Sequence, residues 1–275
     1  GAVGTGASYM ELIGKEKMEA FEERLSAQLQ IPFFPVTHQT YPRRQDYQII
    51  TTLAGIGATL YKFSFDLRLL QSPPFGELEE PFGAQQVGSS AMPFKRNPIR
   101  AENISSLARS LSQMPALAWH NMAHSLLERT LDDSANRRTL LPEAFLICDE
   151  ILNGADTILT GLMVNMQAIA ANMDTYAPFA NSEKLLMGLA RAGADRQEMH
   201  ACIRSHAMNA WSRIQNGDEN DLIERIVGDA VFQSYLSIQQ IRNIMASEGY
   251  VGFAPDKARQ MADLINLTLN KSLDD

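Results

Sequence analysis

One short segment of the chain crowds together side chains that can bind and activate a dicarboxylate. It reads GSSAMPFKRNP from Gly88 to Pro98, and Glu102 follows shortly after it. Two hydroxyls, a lysine, an amide and a carboxylate thus fall within 15 residues. Removing a proton beside a carboxylate builds up negative charge, which fixed cations and hydrogen-bond donors such as Lys95 and Asn97 stabilise. The same composition also fits a Gly/Pro turn before a helix, with Glu102 near the positive end of the helix dipole.

The overall charge restricts the partners of the chain. Its 24 Lys and Arg residues against 32 Asp and Glu residues give a net charge of −8. This balance argues against a general nucleic-acid surface or an anionic-membrane surface, so a phosphate site must be a local group of cations. A length of 275 residues with 45% hydrophobic and 20% charged residues predicts a folded protein of one large domain or two modest ones.

Cysteine usage and the apolar pattern bear on location. Cys148 and Cys202 form neither a CxxC pair nor a disulfide framework, which favours a reducing compartment. No apolar run is long enough to span a bilayer, and residues 1–10 lack the basic and apolar regions of a signal peptide. We therefore expect a cytoplasmic protein with no membrane partner.

Two histidines have the spacing of a helical metal pair. His120 and His124 are four residues apart, but neither a third ligand nor an HExxH pattern accompanies them. We therefore expect surface or interface histidines and predict no metal site.

Long helices must position the polar segments. Between Arg43 and Gln71 apolar residues recur at alternating spacings of four and three, which predicts one long helix in a bundle or an oligomer core. They are Ile49, Leu53, Ile56, Leu60, Phe63, Leu67 and Leu70. A second long helix is predicted to start near Pro98. Residues 71–98 and 128–138 are predicted to be loops, where binding residues concentrate.

Proline and capping residues place the remaining helices. Pro142 suits the first turn of a third long helix, with Phe145, Cys148, Leu152 and Ala155 along one face. Ser182 is predicted to cap a helix that ends near Gly193. Asp195 and Glu198 form a capping-box pattern for another helix.

The expected fold is therefore all-α, with two domains. Residues 1–164 are predicted to form a long-helix bundle that carries a loop near 76–98. Residues 165–275 are predicted to form a smaller helical domain.

The first segment resembles the signature of a known enzyme superfamily. GSSAMPFKRNPIRAE is similar to GSSxMPxKxNPxxxE of the fumarase/aspartase superfamily. Within it, four further segments resemble the adenylosuccinate lyase family and follow its order. They are GAVGT at the start, HQTY at 38–41, ERTLDDSANRR at 128–138 and NDLIER at 220–225. The resemblance runs from Gly1 almost to the C-terminus and implies elimination of fumarate by helical subunits assembled as homotetramers, with active sites shared by three subunits and no cofactor.

The resemblance also implies roles for individual residues. Ser89 matches the general base of the family, which acts as an alkoxide once a mobile loop closes over substrate. Lys95 binds a carboxylate and stabilises the developing charge, and Asn97 supplies a donor. Glu102 orients a histidine or the loop instead of contacting substrate.

A second set of residues matches the nucleotide-binding positions of the family. Arg129, Ser134 and Arg138 align with residues that bind the phosphate, for which arginine forks are suited. The alternative is that these arginines pair with Asp132 or Asp133 on a solvated loop. Further substrate contacts are expected from Gln39 and from Asn103, whose position is Arg in some relatives.

The family pattern also contains residues with no counterpart in this chain. In the family, the general acid is a histidine that precedes the positions matched by this chain. The N-terminal domain and the first long helix of the bundle also precede those positions. The chain is therefore expected to be the C-terminal portion of such a lyase, inactive by itself. The expected reactions convert adenylosuccinate to AMP and the succinylated aminoimidazole carboxamide ribotide (SAICAR) to AICAR. The alternatives are another fumarate-releasing lyase of the superfamily and an inactive helical oligomerisation module.

Overall fold

The structure is a computed structural model that describes residues 4–83, 92, 95–245 and 250–274, with side chains up to residue 269. It divides into two compact units, Gly1–Asn165 and Met166–Asp275. The regular elements of the described residues are all helices except for two short strands, as the all-α expectation requires. None of the helices in this described part is apolar over a length sufficient to cross a membrane.

Three long helices form the body of the first unit. Two short helices, α1 (Ala7–Ile13) and α2 (Met18–Leu29), precede them, with a 3-10 turn at Lys15–Lys17 between the two. The long helices are α3 (Arg44–Leu70), α4 (Ile99–Ala123) and α5 (Asp133–Thr160). Each packs against the other two, and α4 is antiparallel to both of its partners.

The predicted heptad helix is confirmed as α3, and its tightest contacts come from small residues. Ile50, Gly57 and Ser64 are seven residues apart and fully buried, whereas most of the predicted apolar stripe is half-buried beside them. A Cβ atom at Gly57 would lie 3.1 Å from Leu111 on α4, and the Ser64 and Ser105 hydroxyls are 3.1 Å apart. Small side chains on this row therefore let α3 and α4 approach closely.

The prediction that Pro142 opens the third helix is wrong. Helix α5 begins at Asp133, so Pro142 is in its interior and residues 133–138, predicted as loop, are helical. Phe145 and Leu152 are exposed rather than on the packed face. An internal proline costs about 3 kcal/mol, but α5 offsets this cost by burying a row of side chains on both sides of it. The row is Leu140, Ala144, Cys148, Ile151, Ala155 and Ile158.

A short β ladder closes one end of the first unit. Strand β1 (Leu78–Glu79) follows α3 and pairs antiparallel with β2 (Met163–Val164), which follows α5. The sequence did not predict this ladder, because strands of two residues are too short to show alternation.

The second unit consists of helices that are mostly shorter. They are α6 (Met166–Arg191), α7 (Arg196–Gln215), α8 (Leu222–Val227), α9 (Ala230–Gln233), α10 (Ile238–Met245) and α11 (Ala254–Asp274). Asp195 caps α7 as predicted, since its carboxylate accepts from the backbone N–H groups of Gln197 and Glu198. The predicted cap at Ser182 is wrong. Ser182 lies inside α6 and donates to the Phe179 carbonyl, because the buried Asn181, Leu185 and Leu189 keep the helix continuous across it.

Candidate active site

A cleft of about 880 Å³ opens in the first unit where α3 ends and α4 begins. Lys95, Asn97 and Glu102 line it, together with Arg68 from α3. The structure therefore brings together three of the residues that the signature predicts. Ser89 lies outside the described residues.

A buried carboxylate that the sequence analysis missed positions this cleft. Glu80 follows β1, and its two carboxylate oxygens accept from the N–H groups of Arg100 and Ala101 at 3.1 and 3.0 Å. The first-turn amides of a helix have no partner within it, so Glu80 caps α4 and also meets the positive end of its dipole. No local sequence pattern predicts this cap, because the capping residue is 20 positions upstream of Arg100.

A glutamine contacts the chain both before the signature segment and near the end of it. The Gln71 side chain accepts from the Glu80 N–H at 3.0 Å and donates to the Arg96 carbonyl at 3.2 Å. Glu80 precedes residues 84–91 and Arg96 follows residues 93–94. Gln71, at the end of α3, therefore anchors the chain on both sides of these residues.

The cations of the cleft differ in their availability. Arg96 forms an ion pair with Glu79 at 3.1 Å and stacks over the Phe82 ring. Lys95 is exposed and has no carboxylate partner among the described residues. Lys95 is therefore free to meet the negative charge of a ligand, in keeping with the role expected for it.

We expect Glu80→Ala to lower the free energy of unfolding of the first unit by about 3 kcal/mol, because one buried and one part-buried amide lose a charged acceptor. Glu79→Ala is the matched control. Its ion pair is exposed, so it should cost less than about 1 kcal/mol. Urea unfolding measures both in a Trp211→Phe background, where Trp119 on α4 is the remaining tryptophan. Equal losses for the two variants would show that the cap at Glu80 is unimportant.

The predicted nucleotide-binding residues gather at the opposite end of the bundle. Arg129 lies in the connection before α5, and Ser134 and Arg138 lie on its first two turns. Gln39 comes two residues before Tyr41, which contacts both α3 and α5. Arg129, Arg138 and Gln39 are exposed, and Ser134 is half-buried.

The arginine pairing at this end differs from the alternative considered from the sequence. Asp133 pairs with Arg43 at 2.7 Å and is 3.8 Å from Arg137, whereas Asp132 accepts a hydrogen bond from Thr130. Neither Arg129 nor Arg138 has a carboxylate partner in the part of the chain that the structure describes. Both guanidinium groups therefore remain available to a ligand.

A second ion pair adjoins that of Arg43 and Asp133, and together with Tyr41 the two pairs form one polar cluster. Arg137 donates to Asp46 at 2.7 Å, and Asp46 also accepts from the Tyr41 hydroxyl at 2.6 Å. Burial raises the pKa of Tyr41, and its hydrogen bond to Asp46 raises it further. Desolvation lowers the pKa of Arg137, but the hydrogen bond and charge of Asp46 outweigh it and leave that pKa above its usual value.

The length of α4 separates the two groups of candidate residues. Its 25 residues span about 36 Å at a rise of 1.5 Å each. Glu102 and Asn103 are exposed near its start, and Arg129 follows its far end. One copy of the chain therefore cannot bring both groups to the same small substrate.

The two histidines lie at the C-terminal end of α4, with His120 in its last turn and His124 directly after it. The rings of His120 and His124 stack at 5.4 Å, and both residues are exposed. Across the described ranges, no group of three His, Cys, Asp or Glu side chains could hold a metal ion.

Known proteins match this chain in sequence. A family model described as "Lyase" matches residues 2–111, and one described as "Adenylosuccinate lyase C-terminus" matches residues 178–261. The adenylosuccinate lyase of Schistosoma mansoni is 42% identical over 84% of this chain and 49% of its own length. That of Saccharomyces cerevisiae is 37% identical over 99% of this chain and 56% of its own length. The chain thus spans about half the length of the curated relatives it matches.

Solved structures share the fold. A fumarate lyase from Mesorhizobium sp. BNC1 has a TM-score of 0.75 and 21% identity, covering 92% of this chain and 53% of its own. The β-carboxy-cis,cis-muconate cycloisomerase of Acinetobacter calcoaceticus has a TM-score of 0.75 and 20% identity, covering 96% and 55%. These likenesses confirm the predicted fold class.

Proposed function

The chain belongs to the adenylosuccinate lyase family, and from this premise we propose that it serves the elimination of fumarate from adenylosuccinate, giving AMP, and from SAICAR, giving AICAR. The observation that carries the proposal is the pair of arginines without carboxylate partners, Arg129 and Arg138, beside the start of α5. In a chain of net charge −8 they provide the local cations that a nucleotide phosphate requires. The proposed enzyme is thus a carbon–nitrogen lyase that releases fumarate.

The proposed chemistry begins with proton removal next to a carboxylate. Ser89, as the alkoxide, takes this proton and leaves an enediolate-like dianion. Lys95 and the amide of Asn97 stabilise the added charge, because preorganised cations and donors cost no reorganisation when charge develops. This role for Ser89 is supported by the signature alone, whereas Lys95 and Asn97 also line the cleft.

The second step breaks the carbon–nitrogen bond. The electrons of the dianion form the double bond of fumarate, and the bonding pair leaves with the purine or imidazole nitrogen. A general acid then protonates this nitrogen, and the resemblance assigns that role to a histidine absent from these 275 residues. We propose that Glu102, exposed at the start of α4, orients such a histidine or the signature loop. No oxidation is involved, and protein side chains supply all the charges and donors, so we propose no cofactor.

The separation of the two residue groups supports an oligomeric site. Lys95 and Asn97 would meet the succinyl part of the substrate, whereas Arg129, Ser134 and Arg138 would meet its phosphate. Because most of the length of α4 lies between these groups in one copy, we propose that different copies complete each site in a homotetramer. Gln39 and Asn103 are proposed as further contacts, one from each end of the bundle.

The free cysteines bear on location. Cys148 is buried and Cys202 is half-buried, and both are unpaired in the structure. Unpaired thiols are typical of reducing compartments, which supports our proposal of a cytoplasmic protein.

We expect Arg138→Ala and Arg129→Ala to weaken AMP binding by at least about tenfold and to leave fumarate binding nearly unchanged, since a charged hydrogen bond to phosphate contributes about 1.5 to 3 kcal/mol. Calorimetric titration of each ligand measures this in the full-length protein, meaning this chain with any residues that its gene encodes before Gly1. Arg44→Ala, an exposed arginine on α3, is the control.

The same titrations distinguish the alternatives. Equal losses for AMP and fumarate would remove these arginines from the phosphate site. Absence of AMP binding to the unmodified protein, with fumarate still bound, would favour a superfamily lyase for a substrate without a nucleotide, such as argininosuccinate. Binding of AMP without any turnover would favour an inactive helical module.

A further inference from the structure

We propose that Tyr41, Asp46 and Arg137 are positioning residues that join the Gln39 segment to the start of α5, so that both bind the nucleotide as one preorganised unit. This inference rests on the proposed function. It assigns a role to residues that neither the signature nor the phosphate-binding set includes.

The hydrogen bonds of this cluster converge on Tyr41 and Asp46. The Tyr41 hydroxyl donates to one oxygen of Asp46, and the Arg137 guanidinium donates to the other and to the Tyr41 hydroxyl. Arg43 and Arg137 also lie over the Tyr41 ring, at 4.9 and 5.6 Å from its centroid. Tyr41 therefore holds α3 and α5 through both its hydroxyl and its ring.

The ion pairs of the cluster are shielded from water. The side chains of Asp46 and Asp133 are 5% and 4% exposed, and those of their arginine partners no more than 17%. Screening by solvent is weak at such positions, so the pairs fix the geometry of both helix ends. Removing one partner would leave a buried charge unpaired.

The charges within the cluster cancel. Arg43 and Arg137 carry two positive charges, and Asp46 and Asp133 carry two negative ones. Arg137 is therefore not a phosphate ligand, although it is the neighbour of Arg138 in sequence. The two residues point in different directions around α5, Arg137 toward Asp46 and Arg138 to solvent.

The residues proposed to bind the nucleotide are close neighbours in sequence of the residues in this cluster. Ser134 follows Asp133, Arg138 follows Arg137, and Gln39 comes two residues before Tyr41. Fixing these backbones before the ligand arrives removes an ordering cost from binding. The phosphate is remote from the bond that breaks, so the benefit should fall on nucleotide affinity and not on the chemical step.

The test is Tyr41→Phe in the full-length protein, since phenylalanine keeps the ring and all charges but removes the hydroxyl shared by Asp46 and Arg137. We expect KM for adenylosuccinate and Kd for AMP to rise about threefold to tenfold, as one or two hydrogen bonds are lost. The values of kcat and of Kd for fumarate should stay within about twofold. Merely structural damage would instead lower the active fraction, which reduces kcat and leaves KM unchanged.

Tyr47→Phe is the matched control, because Tyr47 lies on α3 only six residues after Tyr41 and its hydroxyl has no hydrogen-bond partner in the described part of the chain. Asp46→Asn should also raise KM and the Kd for AMP, by more than Tyr41→Phe does, and leave kcat nearly unchanged. If Asp46→Asn does not fold, the Tyr41→Phe result is sufficient for the test. Equal KM values for Tyr41→Phe and Tyr47→Phe would overturn the inference, and loss of AMP binding in Arg138→Ala would then leave the proposed function standing. Failure of the unmodified protein to bind AMP would overturn both.

Discussion

Ser89→Ala in the full-length protein should reduce the turnover of adenylosuccinate by at least about 10² to 10⁴-fold, the usual contribution of general acid–base catalysis. Substrate binding should stay within about tenfold, because the base acts on the transition state and contributes little to the ground-state complex. The measurement is the rate of fumarate release at saturating substrate, together with AMP and fumarate affinities.

The neighbouring serine provides the control for this experiment. Ser90 has the same side chain and is the next residue in the sequence, but it does not match the general base of the family, so Ser90→Ala should retain most of the turnover. Normal turnover in Ser89→Ala would reject Ser89 as the base. Equal losses in both variants would indicate that the segment needs its hydroxyls for conformation and not for proton transfer.

The 275-residue chain by itself should fold as helix and show no lyase activity. Its three long helices bury a continuous apolar core, so circular dichroism should report a helical protein. The chain lacks the histidine that the resemblance assigns as general acid. A nitrogen that leaves unprotonated carries an unfavourable charge, so its loss should lower the rate by about 10² to 10⁴.

Mixing the chain with the full-length Ser89→Ala variant gives a sharper test of the same idea. If different copies complete each site, the variant supplies the histidine and the 275-residue chain supplies an intact Ser89. Partial activity should then return in mixed oligomers. The control is a mixture in which both partners carry Ser89→Ala, which should stay inactive.

A parent-like rate for the 275-residue chain alone would contradict this account. A histidine within the chain would then have to protonate the leaving nitrogen. His38 would be the first to examine, because it is exposed and adjacent to Gln39. His38→Ala would decide whether it takes that role.

Local patterns in the sequence were sufficient for several features. The long apolar repeat between Arg43 and Gln71 predicts α3, and the helix predicted near Pro98 begins at Ile99. Asp195 caps α7 because an N-cap acts on amides only two and three residues away. The signature and the later ERTLDDSANRR segment identified the family for a similar reason, since each carries its chemistry in a short contiguous stretch.

Other features depended on contacts that only the folded chain creates. Pro142 and Ser182 are typical of helix starts but lie inside α5 and α6, because the burial of neighbouring side chains, which is set by tertiary packing, outweighs their local preferences. The cap at Glu80 joins residues 20 and 21 positions apart, and the pair of Asp46 with Arg137 joins residues 91 positions apart. Spacing along the chain contains no signal for such partners.

The tertiary structure also decided which arginines are free and where the site residues lie. In the sequence, Arg137 and Arg138 are equivalent neighbours of two aspartates, and only the packing of α3 against α5 commits Arg137 to Asp46 and leaves Arg138 exposed. The cleft lined by Lys95 lies at one end of α4, and Arg129 and Arg138 lie toward the other end, because α4 is one continuous helix. The sequence by itself thus identified the residue types of the site, whereas their distribution over the bundle followed from the rigid length of that helix.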